Sequence, residues 1–479
     1  MISRITSFFG PSYPKTLVYM LQSTEYDVKP YIAWYWRTNN FKDVSHRRNL
    51  DKTRRAQLLA AGLRTGMLLQ IIVGIMVLIQ GLRANQMSDI YFGLAILISY
   101  PVIWAHLIVI PLTIARIFIV KPKDYKAVKT SRKIFEEHGA IKIAVAGSYG
   151  KTTMKELLLT ILGEGKKVAA TPANKNVAVS HAYFAKKLDG DEEIVIIEYG
   201  EGAPGDVARF AKNTKPTIGI ITGIAPAHLD KYKTIDAAAK DIFSLADFLH
   251  GKNVYVNNES QLAKKYSKAS YTLYDQKAVL GWKITNISVK INGMSFSMQK
   301  GAQKLDLQTG LIGRHLIGSL ALCVALGKEL GCSDSDIISG VAKTIPFEHR
   351  MQPREIAGGY IIDDTYNGNL EGVRAGLQLL SELNARRKIY VTPGLVDQGK
   401  ESKNVHQEMG TLIAKANPSK VVLMRNSVTH WICDGLTTGA YQGEIVIEKK
   451  PLDFYTNINQ IIAAGDIMLL QNDWTDNYK

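Results

Sequence analysis

Two long apolar runs near the N-terminus, then a series of short β-branched runs after residue 140, set the pattern of the chain. Gly66–Leu82 carries no charge over 17 residues, and Ile90–Ala115 none over 26. A hydrocarbon core takes about 20 residues of helix, so both runs predict membrane-spanning helices. The polar link RANQMSD joins them into a predicted helical hairpin, with Pro101 and Pro111 bending its second helix. A run that starts at residue 66 and is followed by a second one is not a cleavable signal peptide. The competing reading is a buried core hairpin of a soluble domain, and 26 uncharged residues argue against it.

Downstream, IKIAVAG, KVAA, EEIVIIEYGEG, PTIGIITG and NVYVNNE read as short strands, several of them buried on both faces. The pattern MKELLLTILGE reads as a helix, and LIGSLALCVALGKELG as another ending at Gly331. WKITNISVKINGMSFSMQ alternates around Asn-Gly and predicts a β-hairpin. From Phe347, YIIDDTYN, GVRAGLQLLSELN, KIYVTPGLV, HQEMGTLIAKAN, KVVLM and DIMLL alternate strand and helix. The fold class is therefore α/β. A basic segment with the hairpin is expected over 1–135, a central nucleotide-binding domain over 136–346 and a second, Rossmann-like α/β domain over 347–479. The candidate hinges are Lys121–Lys133 and Thr344–Gln352. His406 and His430 have no partner that the sequence reveals.

Charge refines this picture. The 479 residues hold 59 Lys+Arg against 43 Asp+Glu, a net of +16, which first suggests nucleic acid or a membrane surface as partner. Residues 1–65 hold 11 Lys/Arg against 4 Asp/Glu, and 121–133 hold 6 against 1. The excess thus flanks the hairpin, so an anionic membrane is the expected partner and no nucleic acid is needed. Positive-inside orientation puts both flanks in the cytoplasm and the link outside, at the inner (cytoplasmic) membrane. Tyr19, Tyr26, Tyr31, Trp34, Tyr35 and Trp36 interleave with Lys29, Arg37 and Lys42, a mixture suited to a membrane interface. Three cysteines exclude a disulfide framework and a four-thiolate zinc site.

The candidate chemistry follows the first of the downstream strands. Gly147, Ser148, Tyr149, Gly150, Lys151, Thr152 and Thr153 form a glycine loop between strand and helix, the arrangement that cradles nucleotide phosphates. Its spacing, G-x-x-G-K-T, is shorter than the common phosphate loop. Lys151 is expected on the β- and γ-phosphates of ATP, and the Thr152 hydroxyl on Mg²⁺. Glu198 and His228 stand at the ends of neighbouring strands, where open α/β sheets bind ligands, and are expected to meet a metal with Thr152. Taken singly, Glu198 is also readable as a solvated strand-end acid and His228 as a helix cap.

The segments GSYGKTT, TPANKN, IIEYGEGAPGDV, ITGIAPAHLDKY, GLIGRHLIGSLALCVAL, HRMQ, IIDDTYNGN and VTPGLVDQG, in this order, resemble the Mur ligase superfamily. These are ATP-dependent amide-forming ligases of peptidoglycan synthesis, and the resemblance runs from about residue 139 to the C-terminus. The Glu-x-Gly, Ala-His-Leu-Asp and Asp-Asp-x-Tyr-Asn segments look like the branch that adds D-alanyl-D-alanine to a muramoyl-peptide. The resemblance implies ATP and Mg²⁺ as cofactors and an acyl-phosphate intermediate. It also implies Asn174 and Asn176 near nucleotide and substrate, His315 near the adenine, and Arg350, Asp364, Tyr366 and Asn367 closing from the third domain. Lys151, Glu198, His228 and Lys240 are its catalytic set, Lys240 as the only candidate for the carbamylated metal-bridging lysine of many members.

The sequence departs from the family in four places. Alignment of Lys240 needs a gap. Leu316 and Ser319 stand where asparagines are common. NDWTDNY replaces a Lys-Gly-Ser segment near the amine substrate. The hairpin stands where the family carries its uridine-nucleotide domain. The acceptor, a muramoyl-peptide, is therefore open between UDP-linked and lipid-linked. The alternatives to a ligase that joins an amine to it are a ligase/amidotransferase subunit acting on lipid-linked cell-wall precursor and a non-catalytic ATP-binding scaffold at the membrane.

Overall fold

The computed structural model describes residues 2–24, 26–38, 40–42, 50–173, 175–225, 229–366, 368–396 and 398–472. Two compact units divide the chain, Met1–Lys126 and Ala127–Lys479.

The first unit is helical: α1 (Ile2–Phe8), α2 (Tyr13–Ser23), α3 (Val28–Arg37), α4 (Arg54–Ala84), α5 (Met87–Leu107) and α6 (Val109–Ala115), followed by a π-turn over Arg116–Val120. The Thr53 hydroxyl caps α4 by accepting from Ala56 N, so the helix starts well before its apolar run. Asn85, at φ 51°, ends it in the left-handed conformation that closes the turn to α5. Small residues let the two long helices touch: a methyl group on Gly74 would lie 2.8 Å from the Leu97 side chain, and one on Gly93 2.7 Å from the Leu78 backbone. Gln70 ties them further, accepting from Trp104 Nε1 at 2.9 Å and donating to Ile96 O at 3.2 Å.

Away from this seam and from the residues packed on α2 and α3, such as Leu63, Met67 and Ala105, many hydrophobic side chains face outward, Leu68, Met76, Phe92 and Ile98 among them. The most apolar windows of the two long helices are only 22% and 17% buried, unlike the helices of a soluble core. The aromatics of the first 41 residues divide. Tyr13, Tyr31, Tyr35 and Phe41 are buried, and the hydroxyls of Tyr13 and Tyr31 donate to Pro101 O and Ala105 O. Trp36 stays 57% exposed. Tyr31 and Tyr35, expected at an interface, are thus core residues of this unit.

The division between the two units, after Lys126, falls within the expected boundary Lys121–Lys133, and this stretch is helical, within α7 (Lys121–Glu137). Ala127, Ser131 and Phe135 recur every four residues and form its buried stripe, while the lysines project outward.

In the second unit a parallel six-stranded sheet has the order β2-β3-β1-β4-β5-β6. Its strands are β1 (Ile141–Ala146), β2 (Val168–Ala170), β3 (Ile194–Glu198), β4 (Ile218–Ile221), β5 (Val254–Asn257) and β6 (Thr272–Tyr274). The helices α8 (Lys151–Leu162), α9 (Ala178–Ala185), α10 (Asp206–Thr214), α11 (Leu229–Tyr232), α12 (Ile235–Phe248) and α13 (Gln261–Lys265) connect and flank them. An antiparallel sheet follows: β7 (Ala278–Val279), β8 (Trp282–Lys290), β9 (Gly293–Lys300) and β10 (Gln303–Thr309). The Asn-Gly hairpin is β8–β9, with Lys290 opposite Gly293. Helices α14 (Ile317–Glu329) and α15 (Asp334–Ala342) pack with α8 into a core of Met154, Leu158, Ile161, Leu322 and Cys323.

The remaining residues form a second six-stranded sheet, β11-β12-β16-β13-β14-β15. Its strands are β11 (Gln352–Ile356), β12 (Gly359–Asp364), β13 (Lys388–Thr392), β14 (Lys420–Met424), β15 (Glu444–Glu448) and β16 (Ile467–Gln471), parallel except for β11. Helices α16 (Leu370–Glu382), α17 (Ser402–Ala416), α18 (Thr429–Thr438), α19 (Pro451–Thr456) and α20 (Ile458–Ile461) complete it. The second α/β unit expected from Phe347 onward is this sheet and its helices.

Candidate active site

The parallel strands β1, β3 and β4 run side by side, so their C-terminal ends bring three loops together. The first is the glycine loop. Gly147 has φ +146°, and a methyl group there would lie 2.4 Å from Thr222 Oγ1 at the end of β4. Gly150, at φ +77°, caps α8. Between them Ser148 N donates to Gly223 O at 2.7 Å, and the Tyr149 ring covers the bare backbone of Gly223. The positive end of α8 therefore opens where the loop ends.

Glu198, the last residue of β3, faces this loop. Its Oε1 accepts from Thr152 Oγ1 and from Asn176 Nδ2, each at 3.1 Å. Its Oε2 is buried, makes no hydrogen bond, and lies 3.8 Å from Lys155 Nζ. The backbone of Glu198 is held on both sides: its N–H donates to Thr171 Oγ1, and its carbonyl accepts from His181 Nε2 at 2.8 Å. Burial pushes His181 down to about 4, so the ring is neutral. Lys155, fully buried, donates to Thr171 O and Ala173 O. Lys151 Nζ donates to Gly147 O and to Glu201 Oε2, the latter at 2.7 Å.

A cleft of about 470 Å³ opens from the loop, lined by Ser148, Tyr149, Gly150 and Thr153 on one side and by Arg350, Asp364, Tyr366 and Glu371 on the other. His315, Leu316 and Ser319 line its wall. Burial drives the His315 imidazole down to about 4, and its Nδ1 has no hydrogen-bond partner. The Arg350 guanidinium lies over the Tyr366 ring, 4.4 Å from its centre. Asp364 accepts from Met351 N and Gln471 Nε2, yet burial pushes its carboxyl up to about 7.

That shift has a testable sign. A carboxyl raised in the fold contributes stability that is complete below the unfolded value near 4 and is lost as pH rises through 7. Asp364→Asn abolishes the term. The stability difference, wild type minus variant, should fall by about 3 kcal/mol between pH 4 and pH 7 in urea unfolding. A difference independent of pH would contradict a burial cost that outweighs the hydrogen bonds of this carboxyl.

The structure thus brings together Lys151, Thr152, Asn176 and Glu198 at the strand ends, and places His315, Arg350, Asp364 and Tyr366 around the cleft that Ser148, Tyr149, Gly150 and Thr153 also line. Asn174, His228, Asn367 and the C-terminal residues 473–479 lie outside the described residues. Lys240 is exposed on α12, which Thr234 caps in a phase that buries its neighbours Ala239 and Asp241. The inward carboxylate, Asp241, accepts from Gly205 N and Tyr232 Oη and so pins the loop that follows β3.

Two acids were missed by the sequence reading. Glu201 is paired with Lys151. Glu259, lining the cleft, accepts from Gln276 and is pushed up to about 7 by burial. His406 is also accounted for: buried, it accepts from Leu395 N at 2.9 Å and holds the loop after β13.

A family model for the Mur ligase middle domain matches residues 145–327, and one for the Mur ligase glutamate ligase domain matches 349–473. The UDP-N-acetylmuramoyl-tripeptide--D-alanyl-D-alanine ligase of Escherichia coli (strain K12) is 26% identical over 338 residues, covering 68% of this chain and 72% of that protein. Its counterpart from Bacillus subtilis (strain 168) is 22% identical over 347 residues, covering 71% and 75%. Among solved structures, MurF from Acinetobacter baumannii superposes with a TM-score of 0.64 at 20% identity, covering 73% of this chain and 77% of that one. MurF ligase from Thermotoga maritima in complex with ADP gives 0.63 at 20% identity, covering 74% and 81%. The structural likeness is one of fold, and the two family matches together take in well over half of the chain. The chain belongs to the Mur ligase family of ATP-dependent ligases.

Proposed function

We propose that the enzyme joins D-alanyl-D-alanine to a UDP-linked muramoyl-tripeptide at the cytoplasmic face of a membrane, with ATP as the energy source. The observation that carries this reading is the pairing of Thr152 with Glu198 at the start of α8, next to Ser148, Tyr149, Gly150 and Thr153, which line a cleft whose other wall holds Arg350, Asp364 and Tyr366. The relatives' names supply the acceptor and the amine. They give no support to a lipid-linked acceptor or to a scaffold without activity.

The reaction has two steps. An acceptor carboxylate oxygen attacks the γ-phosphorus of ATP, the bond to the β,γ-bridging oxygen breaks, and ADP leaves an acyl phosphate. The neutral amine nitrogen then attacks the acyl carbon, the carbon–oxygen bond to phosphate breaks, and one amine proton leaves with the phosphate, so that the amide keeps one N–H. Lys151 and the N–H groups at the start of α8 align and neutralise the transferring phosphoryl group. Asp364 offers acceptors to the ribose hydroxyls, Tyr366 a flat face to the base, and Arg350 charge to the phosphates.

Thr152 and Glu198 fit a hard divalent cation: a hydroxyl lies beside one carboxylate oxygen, and the other oxygen is buried without a partner. When bound there, Mg²⁺ supplies positive charge to the phosphate oxygens. His228 is the further proposed ligand. The outward-facing apolar helices α4 and α5 with their basic flanks serve as the anchor.

The test uses the full chain in detergent with ATP, Mg²⁺ and D-alanyl-D-alanine. One phosphate should be released per amide formed, and only when UDP-muramoyl-tripeptide is present. Release without acceptor, release with the lipid-linked acceptor alone, or none with any muramoyl-peptide would overturn the reading.

A further inference from the structure

The cations at the phosphate loop are already neutralised from within. Lys151 Nζ and Glu201 Oε2 are 2.7 Å apart, with side chains only 11% and 4% exposed. Glu201 follows Glu198 by three residues, on the loop that leaves β3, and Lys151 is its hydrogen-bonding partner among the described residues. Lys155 lies 2.8 Å from Glu156 and 3.8 Å from the lone oxygen of Glu198. A triphosphate that arrives alone must draw Lys151 away from a shielded carboxylate, and then lies beside that carboxylate and Glu198. In surroundings this poor in water such charges are weakly screened. A triphosphate that arrives with a divalent cation brings compensation for both acids.

We propose that Glu201 is a positioning residue that makes nucleotide binding depend on the divalent cation. It holds Lys151 back from bare nucleotide and yields it to the metal complex, so the site discriminates between the two forms. This rests on Gly147–Thr153 being the ATP site, and it assigns to Glu201 a role apart from Thr152 and Glu198, which face the cation.

The test is calorimetric binding of a non-hydrolysable ATP analogue to the full chain in detergent, in excess EDTA and in Mg²⁺. The quantity read is the ratio of the two Kd values. In Glu201→Gln this ratio should fall about tenfold, mainly through tighter binding in EDTA, because one opposing charge is gone and Lys151 is released. Glu201→Asp keeps the charge but withdraws it by one methylene, and should give an intermediate ratio; it decides the matter alone if the Gln variant does not melt cooperatively. A wild-type ratio in the variants overturns the proposal, as does weaker binding of Glu201→Gln in both conditions. If the wild-type chain binds no analogue in either condition, the ATP site itself is misplaced and the proposal falls with it.

Discussion

Lys151→Ala should lower acceptor-dependent phosphate release by about a thousandfold, since it strips the main-loop cation from a phosphoryl transfer that depends on charge neutralisation. It should also destabilise the protein, because Glu201, 4% exposed in its side chain, loses its partner. Breaking a shielded pair from one side costs about 3 kcal/mol. The two effects separate in the double variant Lys151→Ala/Glu201→Gln. Removing both charges should restore much of the unfolding midpoint while leaving turnover as low as in the single variant. The measurements are phosphate release at saturating ATP and a denaturant midpoint for each protein. Retained turnover in Lys151→Ala, or recovery of turnover in the double variant, would show that this ammonium is not part of the chemistry.

What the sequence revealed, and what it concealed, follows from how local each signal is. The glycine loop was legible because strand, turn residues and helix are adjacent in the chain, and Gly147 and Gly150 occupy backbone conformations other residues avoid. Glu198 was legible as a strand-end residue in an α/β alternation. Glu201 was not, since an acid in a loop has no period, and its partner lies 50 residues earlier. That Lys240 is exposed and Asp241 buried depends on helical phase, which the Thr234 cap fixes and which spacing along the chain does not show. Asp364 was identified by motif, but its upward shift comes from burial that outweighs the hydrogen bonds from Gln471 and Met351 N, and burial is a property of the folded chain. In the N-terminal unit, composition gave the hairpin. The glycine seam, with Gly74 and Gly93 against the partner helix, appears only once the two helices are paired.

Glu198→Gln should match Lys151→Ala in magnitude, again about a thousandfold in turnover, by a different route. The substitution keeps shape. One amide oxygen can still accept from Thr152 and Asn176, as Oε1 does now. The amide nitrogen then occupies the place of Oε2, which is buried, has no hydrogen-bond partner and lies 3.8 Å from Lys155 Nζ. A donor there can neither bind a divalent cation nor balance the lysine, so the cost falls on metal binding and on the charge of the pocket. Loss of turnover in Glu198→Gln should come with loss of Mg²⁺ affinity, seen as a shift of the Mg²⁺ activation curve to higher concentration. Binding of metal-free nucleotide should be kept or improved, because an opposing charge is gone. Lys151→Ala should act differently, weakening the metal–nucleotide complex to which Lys151 is yielded while leaving the position of the Mg²⁺ curve nearly unchanged at saturating ATP. If Glu198→Gln retained wild-type turnover with an unshifted Mg²⁺ curve, the buried oxygen would be a structural partner of Lys155 alone, and the cation would have to be held elsewhere in the cleft.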